Sequence, residues 1–82
     1  MYRITTDDQS SAQIDALPSE ALDSFAEIVG VLQLVPWRGK PYAETKPDGS
    51  MRHLFFGHGS MVVYLILDDQ LRVDILKVIW VG

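Results

Sequence analysis

The chain contains no cysteine among its 82 residues. Disulfide bridges and thiolate metal sites are therefore excluded, and the composition is compatible with a reducing compartment. Long apolar runs are missing too, because the longest, MVVYLIL at residues 61–67, is far shorter than the roughly 20 residues of a membrane-spanning helix. The first residues also lack the basic and apolar regions of a signal peptide. We expect one soluble domain over residues 1–82, located in the cytoplasm and without contact to a membrane.

Positive charge is scarce, since 7 lysines and arginines stand against 11 acidic residues, for a net charge of −4. An acidic chain is poorly suited to tight, non-specific binding of nucleic acids. Residues 35–58 are the exception, with four basic and two acidic residues. Three of these cations are candidate contacts for a nucleic acid or a partner protein: Arg38, Lys40 and Lys46. The alternative is that they are scattered, solvated surface charges.

Two consecutive helices are predicted in the first half of the chain, at about residues 8–17 and 18–34. Thr6 or Asp7 can cap the first helix, and Pro18 suits the start of the second. Pro36 ends the second helix because it restricts the residue before it. Apolar residues recur along that helix at helical spacing, which predicts one buried stripe. The stripe consists of Leu22, Phe25, Ala26, Val29 and Leu32.

Strand patterns occupy the start and the second half of the chain. YRIT at residues 2–5 predicts a first strand, and YAET at 42–45 a short edge strand. Three antiparallel strands follow in MRHLFFG, SMVVYLIL and LRVDILKVIWV, at residues 51–57, 60–67 and 71–81. The order β-α-α-β-β-β-β indicates an α+β fold of two layers, with a helix hairpin packed on one face of a mainly antiparallel sheet.

The predicted core joins the second helix to the sheet. Phe25, Val29 and Leu32 are expected to bury against strand residues. These are Val63, Leu65, Ile75 or their strand neighbours. The strand at residues 60–67 has no polar alternation, so we expect it to be central and buried on both faces.

Motifs for nucleotide, metal and nucleophile sites are missing, since the sequence has no G-x-G-x-x-G, no Walker loop and no H-E-x-x-H. The only histidines, His53 and His58, lack the nearby carboxylate pair that a metal site would need. Ser50 and Ser60 flank them, but no acid is placed to orient a Ser–His pair. We therefore expect no cofactor and no metal.

Phosphodiester cleavage is the remaining catalytic hypothesis, because it needs a base, an acid and cations. His53 or Glu44 can serve as the base and His58 as the acid. Charge stabilisation would come from Arg52, Lys46 or Arg38. The candidate catalytic residues are thus Arg52, His53 and His58. However, Arg52 and His53 point to opposite faces if both lie in one strand, and the alternative is a set of ordinary surface residues on an edge strand.

The layout of the chain resembles the RelE/ParE superfamily of type II toxin–antitoxin toxins. The resemblance rests on YRIT, LPSEALDSFAEIV, PWRGKP and the segment from Gly49 to Gly82. In that segment, Val62, Val63 and Tyr64 match the family's V-x-Y step, and VDILKVIWVG matches its closing strand. The resemblance implies the two-layer fold, with the first strand beside the last.

Ribosome-dependent members of this family cut mRNA with basic residues on the sheet. The resemblance implies an arginine before the V-x-Y step, where this chain has Met61, and a basic and aromatic tail beyond the position of Gly82. Arg52 is the one basic residue of the meander that matches. We therefore expect a degenerate catalytic set and at most weak ribonuclease activity.

Three functions remain open at this stage. The leading hypothesis is a toxin-like protein that binds gyrase or an antitoxin without catalysis. The second is a ribosome-dependent mRNA endonuclease, and the third is a toxin-fold protein recruited to an unrelated binding role. An antitoxin protein is the expected partner, and the ribosome with its mRNA, gyrase and a second copy of the chain are the alternatives.

Overall fold

The computed structural model describes residues 1–43 and 45–81 of the chain. Its elements follow the predicted order, with two short 3₁₀ turns added. They are β1 (Arg3–Thr6), α1 (Asp8–Asp15), α2 (Ser19–Leu34), a 3₁₀ turn (Pro36–Arg38), β2 (Lys40–Pro41), β3 (Met51–Phe56), β4 (Ser60–Leu67), a second 3₁₀ turn (Asp68–Gln70) and β5 (Arg72–Ile79). The helices and the three long strands thus lie where the sequence predicts them.

The short edge strand is the element that the sequence misplaces. β2 covers Lys40 and Pro41, which pair with His53 and Arg52 of β3. The predicted strand over YAET is wrong, because Tyr42, Ala43 and Thr45 lie outside any strand; Glu44 lies outside the described residues. Proline tolerates this position because the outer side of an edge strand needs no backbone donor.

Asp7, one of the two predicted N-cap residues, caps the start of α1. The Asp7 side chain accepts a hydrogen bond of 2.7 Å from the Ser10 backbone N–H. In return, the Ser10 hydroxyl accepts one of 3.0 Å from the Asp7 N–H. This reciprocal capping box satisfies two donors that the first helical turn leaves without partners.

The five strands form one mixed sheet in the order β1-β5-β4-β3-β2. β1 lies beside β5, as the family resemblance implies. The two strands are parallel, and the other neighbours are antiparallel. β4 is the middle strand, as predicted. Beyond the end of β1, α1 covers the edge of β5, where the Val78 N–H donates a hydrogen bond of 2.7 Å to Gln13 Oε1.

Both helices pack on one face of this sheet and form the core with it. The rings of Phe25 and Phe56 meet edge to face, with centroids 5.6 Å apart. On α2, the buried residues are Ala21, Phe25 and Leu32, with Ile28 and Val29 partly buried against them. The prediction for Leu22 is wrong, since it is 40% exposed, and Ala26 is exposed as well. The buried stripe is therefore centred on Phe25 and includes Ala21 instead of Leu22.

β4 turns a defined set of side chains towards the helices. Val62, Tyr64 and Ile66 join the core beside Ile75. They are the strand neighbours of Val63 and Leu65, which project from the other side of the sheet by strand alternation. Val63 is nevertheless buried, with 4% of its surface exposed, so this strand is buried on both faces at its middle.

The sheet face away from the helices carries mostly apolar side chains, and we call it the open sheet face. By strand alternation and register it comprises Met51, His53 and Phe55 of β3, Met61, Val63, Leu65 and Leu67 of β4, and Arg72, Asp74, Lys77 and Ile79 of β5. Arg72 and Asp74 form an ion pair, with 2.8 Å between Nε and Oδ1. Phe55 is 59% exposed and Met51 41%. No helix in the described part of the chain is long and apolar enough to cross a membrane.

Candidate functional site

Arg52 lies on the helix side of the sheet, paired with Tyr64. Each of its three guanidinium nitrogens donates to a backbone carbonyl, namely Nε to Gly49 at 3.0 Å, Nη1 to Gly39 at 2.9 Å and Nη2 to Pro47 at 3.0 Å. These carbonyls belong to two loop segments, one on each side of β2. Arg52 therefore fastens the loops around β2 to the start of β3.

Trp37 covers the guanidinium, whose central carbon lies 4.8 Å from the ring centroid. Such a cation–π contact adds about 0.5–1 kcal/mol at an exposed site. The indole N–H donates to Asp68, at 3.0 Å from Oδ1, and the hydroxyl of Tyr2 donates to the same oxygen at 2.7 Å. Hydrogen bonds from Tyr2 and then Trp37 hold the pKa of Asp68 below its usual value. Arg52 and Trp37 thus belong to one structural cluster.

Tyr64 holds the same loop in place from the core side. Its side chain is fully buried, and its hydroxyl donates a hydrogen bond of 2.6 Å to the carbonyl of Pro36. Burial raises the pKa of Tyr64 to about 12, so the phenol stays neutral and keeps its proton as the donor. This contact leaves no room for a side chain at Gly39, which packs against the phenol.

Arg52→Ala is expected to lower the free energy of unfolding by about 1.5–3 kcal/mol, because hydrogen bonds to a charged group contribute that much. Arg52→Lys should recover only part of this loss, since one ammonium cannot reproduce a planar fork of donors. Urea unfolding followed by fluorescence measures both values. Arg38→Ala, which removes an exposed cation from the same loop, is the control and should change stability by less than about 0.5 kcal/mol. Equal effects of Arg52→Ala and Arg38→Ala would contradict a structural role for Arg52.

His53 lies on the open sheet face, between Phe55 and Tyr42. Its ring meets both edge to face, with centroids 5.6 Å and 6.1 Å apart. Its Nδ1 is buried and has no hydrogen-bond partner among the described residues. A shallow cleft of about 400 Å³ opens beside it, lined also by Lys40, Pro41, Tyr42 and Pro47.

The remaining predicted residues lie apart from His53. His58 is exposed in the turn between β3 and β4, beyond the end of the strand that carries His53. Arg38 ends the first 3₁₀ turn and Lys46 lies in the loop before β3, both exposed. Of the predicted contact residues, Lys40 is the one that pairs with His53.

The structure therefore brings together His53 and Lys40, and it separates Arg52 and His58 from them. Strand alternation had already placed Arg52 and His53 on opposite faces, as observed. Within residues 1–43 and 45–81, no group of three histidine or acidic side chains is close enough to hold a metal ion. Catalysis by proton transfer next to a cation would therefore have to use His53 and its neighbours on the open sheet face.

Sequence patterns do not predict the cluster of Tyr2 and Trp37 around Asp68. Trp37 and Asp68 are 31 residues apart, and Tyr2 and Asp68 are 66 apart. Periodicity within one element cannot predict such pairs. It also did not reveal a second cleft of about 440 Å³ on the helix side, where His58 lies near Glu20, Ser24, Ser60 and Trp80.

The fold can be compared with known proteins. No family model matches the chain, and no curated protein matches its sequence. Two solved structures share its architecture. One is the intact Escherichia coli RelBE toxin–antitoxin complex, with a TM-score of 0.81, 14% identity and coverage of 100% of this chain and 99% of that chain. The other is the isolated E. coli RelE toxin, with a TM-score of 0.82, 14% identity and coverage of 100% and 86%. The chain therefore has a RelE-like toxin fold.

Proposed function

We propose that this chain is the toxin component of a toxin–antitoxin system and acts by binding a macromolecule rather than by cleaving RNA. The fold supports the first half, because the whole chain superposes on RelE. One of the similar structures is a toxin–antitoxin complex, and we propose that this chain also pairs with an antitoxin protein. Its place of action would be the cytoplasm.

The character of the open sheet face is the observation that favours binding. Its side chains at the β3 and β4 positions are apolar except for His53. Arg52, the basic residue that the family resemblance assigns to the site, faces the other way and donates to three backbone carbonyls. A partly exposed apolar face of this kind marks an interaction surface, whereas RNA cleavage needs cations that converge on the phosphate.

An mRNA endonuclease is the second candidate, and one row of the sheet favours it. Lys40, His53, Val63 and Lys77 are cross-strand neighbours in that order. By alternation their side chains share the open sheet face, with Lys77 about 10 Å from His53 at the usual strand spacing. An imidazole in this position can take a proton, and the two ammonium groups can neutralise a phosphate.

Inducible expression in bacterial cells separates the two candidates. Growth should stop while total RNA stays intact, and a gyrase supercoiling assay should follow as the first test of a target. If RNA is cleaved and His53→Ala or Lys77→Ala abolishes the cleavage, the endonuclease is the correct function. If growth is unaffected in cells without a cognate antitoxin, the toxin assignment itself is wrong.

Phe55→Asp should relieve the growth arrest, because it places a charge on the open sheet face without disturbing the core. Its matched control is Leu34→Asp, at the exposed end of α2, where 67% of the side chain is accessible. That variant should arrest growth like the parent chain. Equal toxicity of both variants at equal protein levels would show that the open sheet face does not carry the activity.

A further inference from the structure

The second cleft lies on the helix side of the sheet, away from the open sheet face. Its walls are the first turns of α2, the turn between β3 and β4, and the end of β5. It encloses about 440 Å³, which lies within the range of pockets that bind small groups. Its polar lining residues are Glu20, Ser24, His58 and Ser60.

The cleft contains polar side chains that can accept hydrogen bonds. Glu20, Ser24, His58 and Ser60 line it, and their side chains make no hydrogen bond to any residue of the described chain. Ser60 is the notable case, because only 2% of its surface is exposed. The Ser60 hydroxyl lines the cleft and can accept a hydrogen bond from a ligand there.

The apolar part of the cleft can hold the flat side of a ligand. Phe56 and Ala21 form a buried floor, whereas Trp80 and Val81 at the rim are 45% and 61% exposed. An exposed indole attracts cations to its face. The lining thus offers an aromatic face, a carboxylate and hydroxyls, which are the groups that a planar cation binds.

Formal charge on the two helices, one of which forms a wall of the cleft, has one sign. The helical layer carries Asp8, Asp15, Glu20, Asp23 and Glu27, and the sequence has no lysine or arginine between Arg3 and Arg38. This field attracts basic partners and repels acidic ones.

We propose that this cleft binds an arginine side chain of a partner protein. Guanidinium suits it better than ammonium, because it is planar, stacks on aromatic rings and donates to a carboxylate through two nitrogens. The partner is a protein segment rather than a free small molecule, since apolar Trp80 and Val81 at the rim offer contacts to the residues on either side of the arginine. The proposal is independent of the toxin function, because the cleft and the open sheet face lie on opposite sides of the sheet.

The test uses the tripeptide acetyl-Leu-Arg-Leu-amide as the probe, titrated into ¹⁵N-labelled full-length protein. The uncharged control is the same peptide with citrulline in place of arginine. We expect saturable shifts of the amides of Ala21, Ser24 and His58 and of the Trp80 indole N–H with the arginine peptide. Equal shifts with the citrulline peptide, or shifts spread over all the acidic residues, would overturn the proposal.

Glu20→Gln is the variant that isolates the carboxylate, and Glu27→Gln removes the same charge two helical turns further along α2, outside the cleft. Glu20→Gln should weaken the arginine peptide about fivefold, which corresponds to the upper range for an exposed ion pair. Glu27→Gln should leave the affinity within a factor of about 1.5. If both variants lose affinity equally, general electrostatic attraction accounts for binding and the cleft does not. Dispersed spectra of both variants check that they are folded.

Discussion

Replacing Phe25 with Ala is expected to lower the free energy of unfolding by about 3–5 kcal/mol. Phe25 is 6% exposed, and its ring packs edge to face against Phe56 with centroids 5.6 Å apart. Truncation removes apolar contacts on both sides of the helix–sheet interface and leaves a cavity. Since small domains have total stabilities of about 5–15 kcal/mol, the loss is a large share of what holds this chain folded.

Urea unfolding measures this change, with the midpoint and the slope fitted separately. The control is Leu22→Ala, three residues earlier on the same helix. Leu22 is 40% exposed, so its truncation should cost less than about 1 kcal/mol, as for other partly solvated positions. Comparable losses for both variants would mean that α2 turns a different face to the sheet. The pair therefore tests the orientation of the helix as well as the size of one contact.

The orientation of α2 is also where sequence reasoning was partly wrong. The 3.6-residue period correctly selects Phe25 and Leu32. It does not decide whether the buried stripe extends towards Ala21 or towards Ala26, because both residues are small and apolar. Ala21 is buried and Ala26 is exposed, although both are the same residue type. Packing against Phe56 decides between them, and Phe56 is distant in sequence. A helical pattern thus predicts the helix more securely than its exact contact face.

The strands show the same division between local and distant information. Turn residues and apolar runs give the positions of β3, β4 and β5 closely. Which side of β4 meets the helices is not decided locally, because every residue from Met61 to Leu67 is apolar. The irregular pairing between Val63 and Tyr64 adds a shift, since Val63 pairs with Lys77 and Tyr64 with Ile75. Only the assembled sheet fixes that register.

The candidate site follows from one local rule and one distant contact. Alternation along β3 correctly separates Arg52 from His53. The carbonyls that occupy Arg52 come from Gly39, Pro47 and Gly49, and the loops that present them have no periodicity to reveal this. An arginine without an obvious partner in the sequence is therefore weak evidence for a functional site. It is stronger evidence that the fold supplies hydrogen-bond acceptors for it.

Gly39→Ala is the second large effect that we expect, with a loss of about 2–6 kcal/mol. The backbone of Gly39 has φ of −65°, which any residue can adopt, so the cost is one of space. An added Cβ would lie 2.0 Å from the Tyr64 hydroxyl and 2.9 Å from the His53 carbonyl oxygen. Overpacking costs about 1–3 kcal/mol, and displacing the phenol from the Pro36 carbonyl adds about 1–3 kcal/mol for the unsatisfied buried groups.

Two further variants show whether the phenol is the cause. Gly30→Ala is the matched control, because an added Cβ in α2 meets nothing within 4 Å, and it should raise stability by about 0.5–1 kcal/mol through helix propensity. In a Tyr64→Phe background, Gly39→Ala should cost less than in the parent chain, since the closest atom is gone while the His53 carbonyl remains. A double-mutant cycle measures this coupling. Strictly additive losses would show that Tyr64 does not set the limit on residue 39.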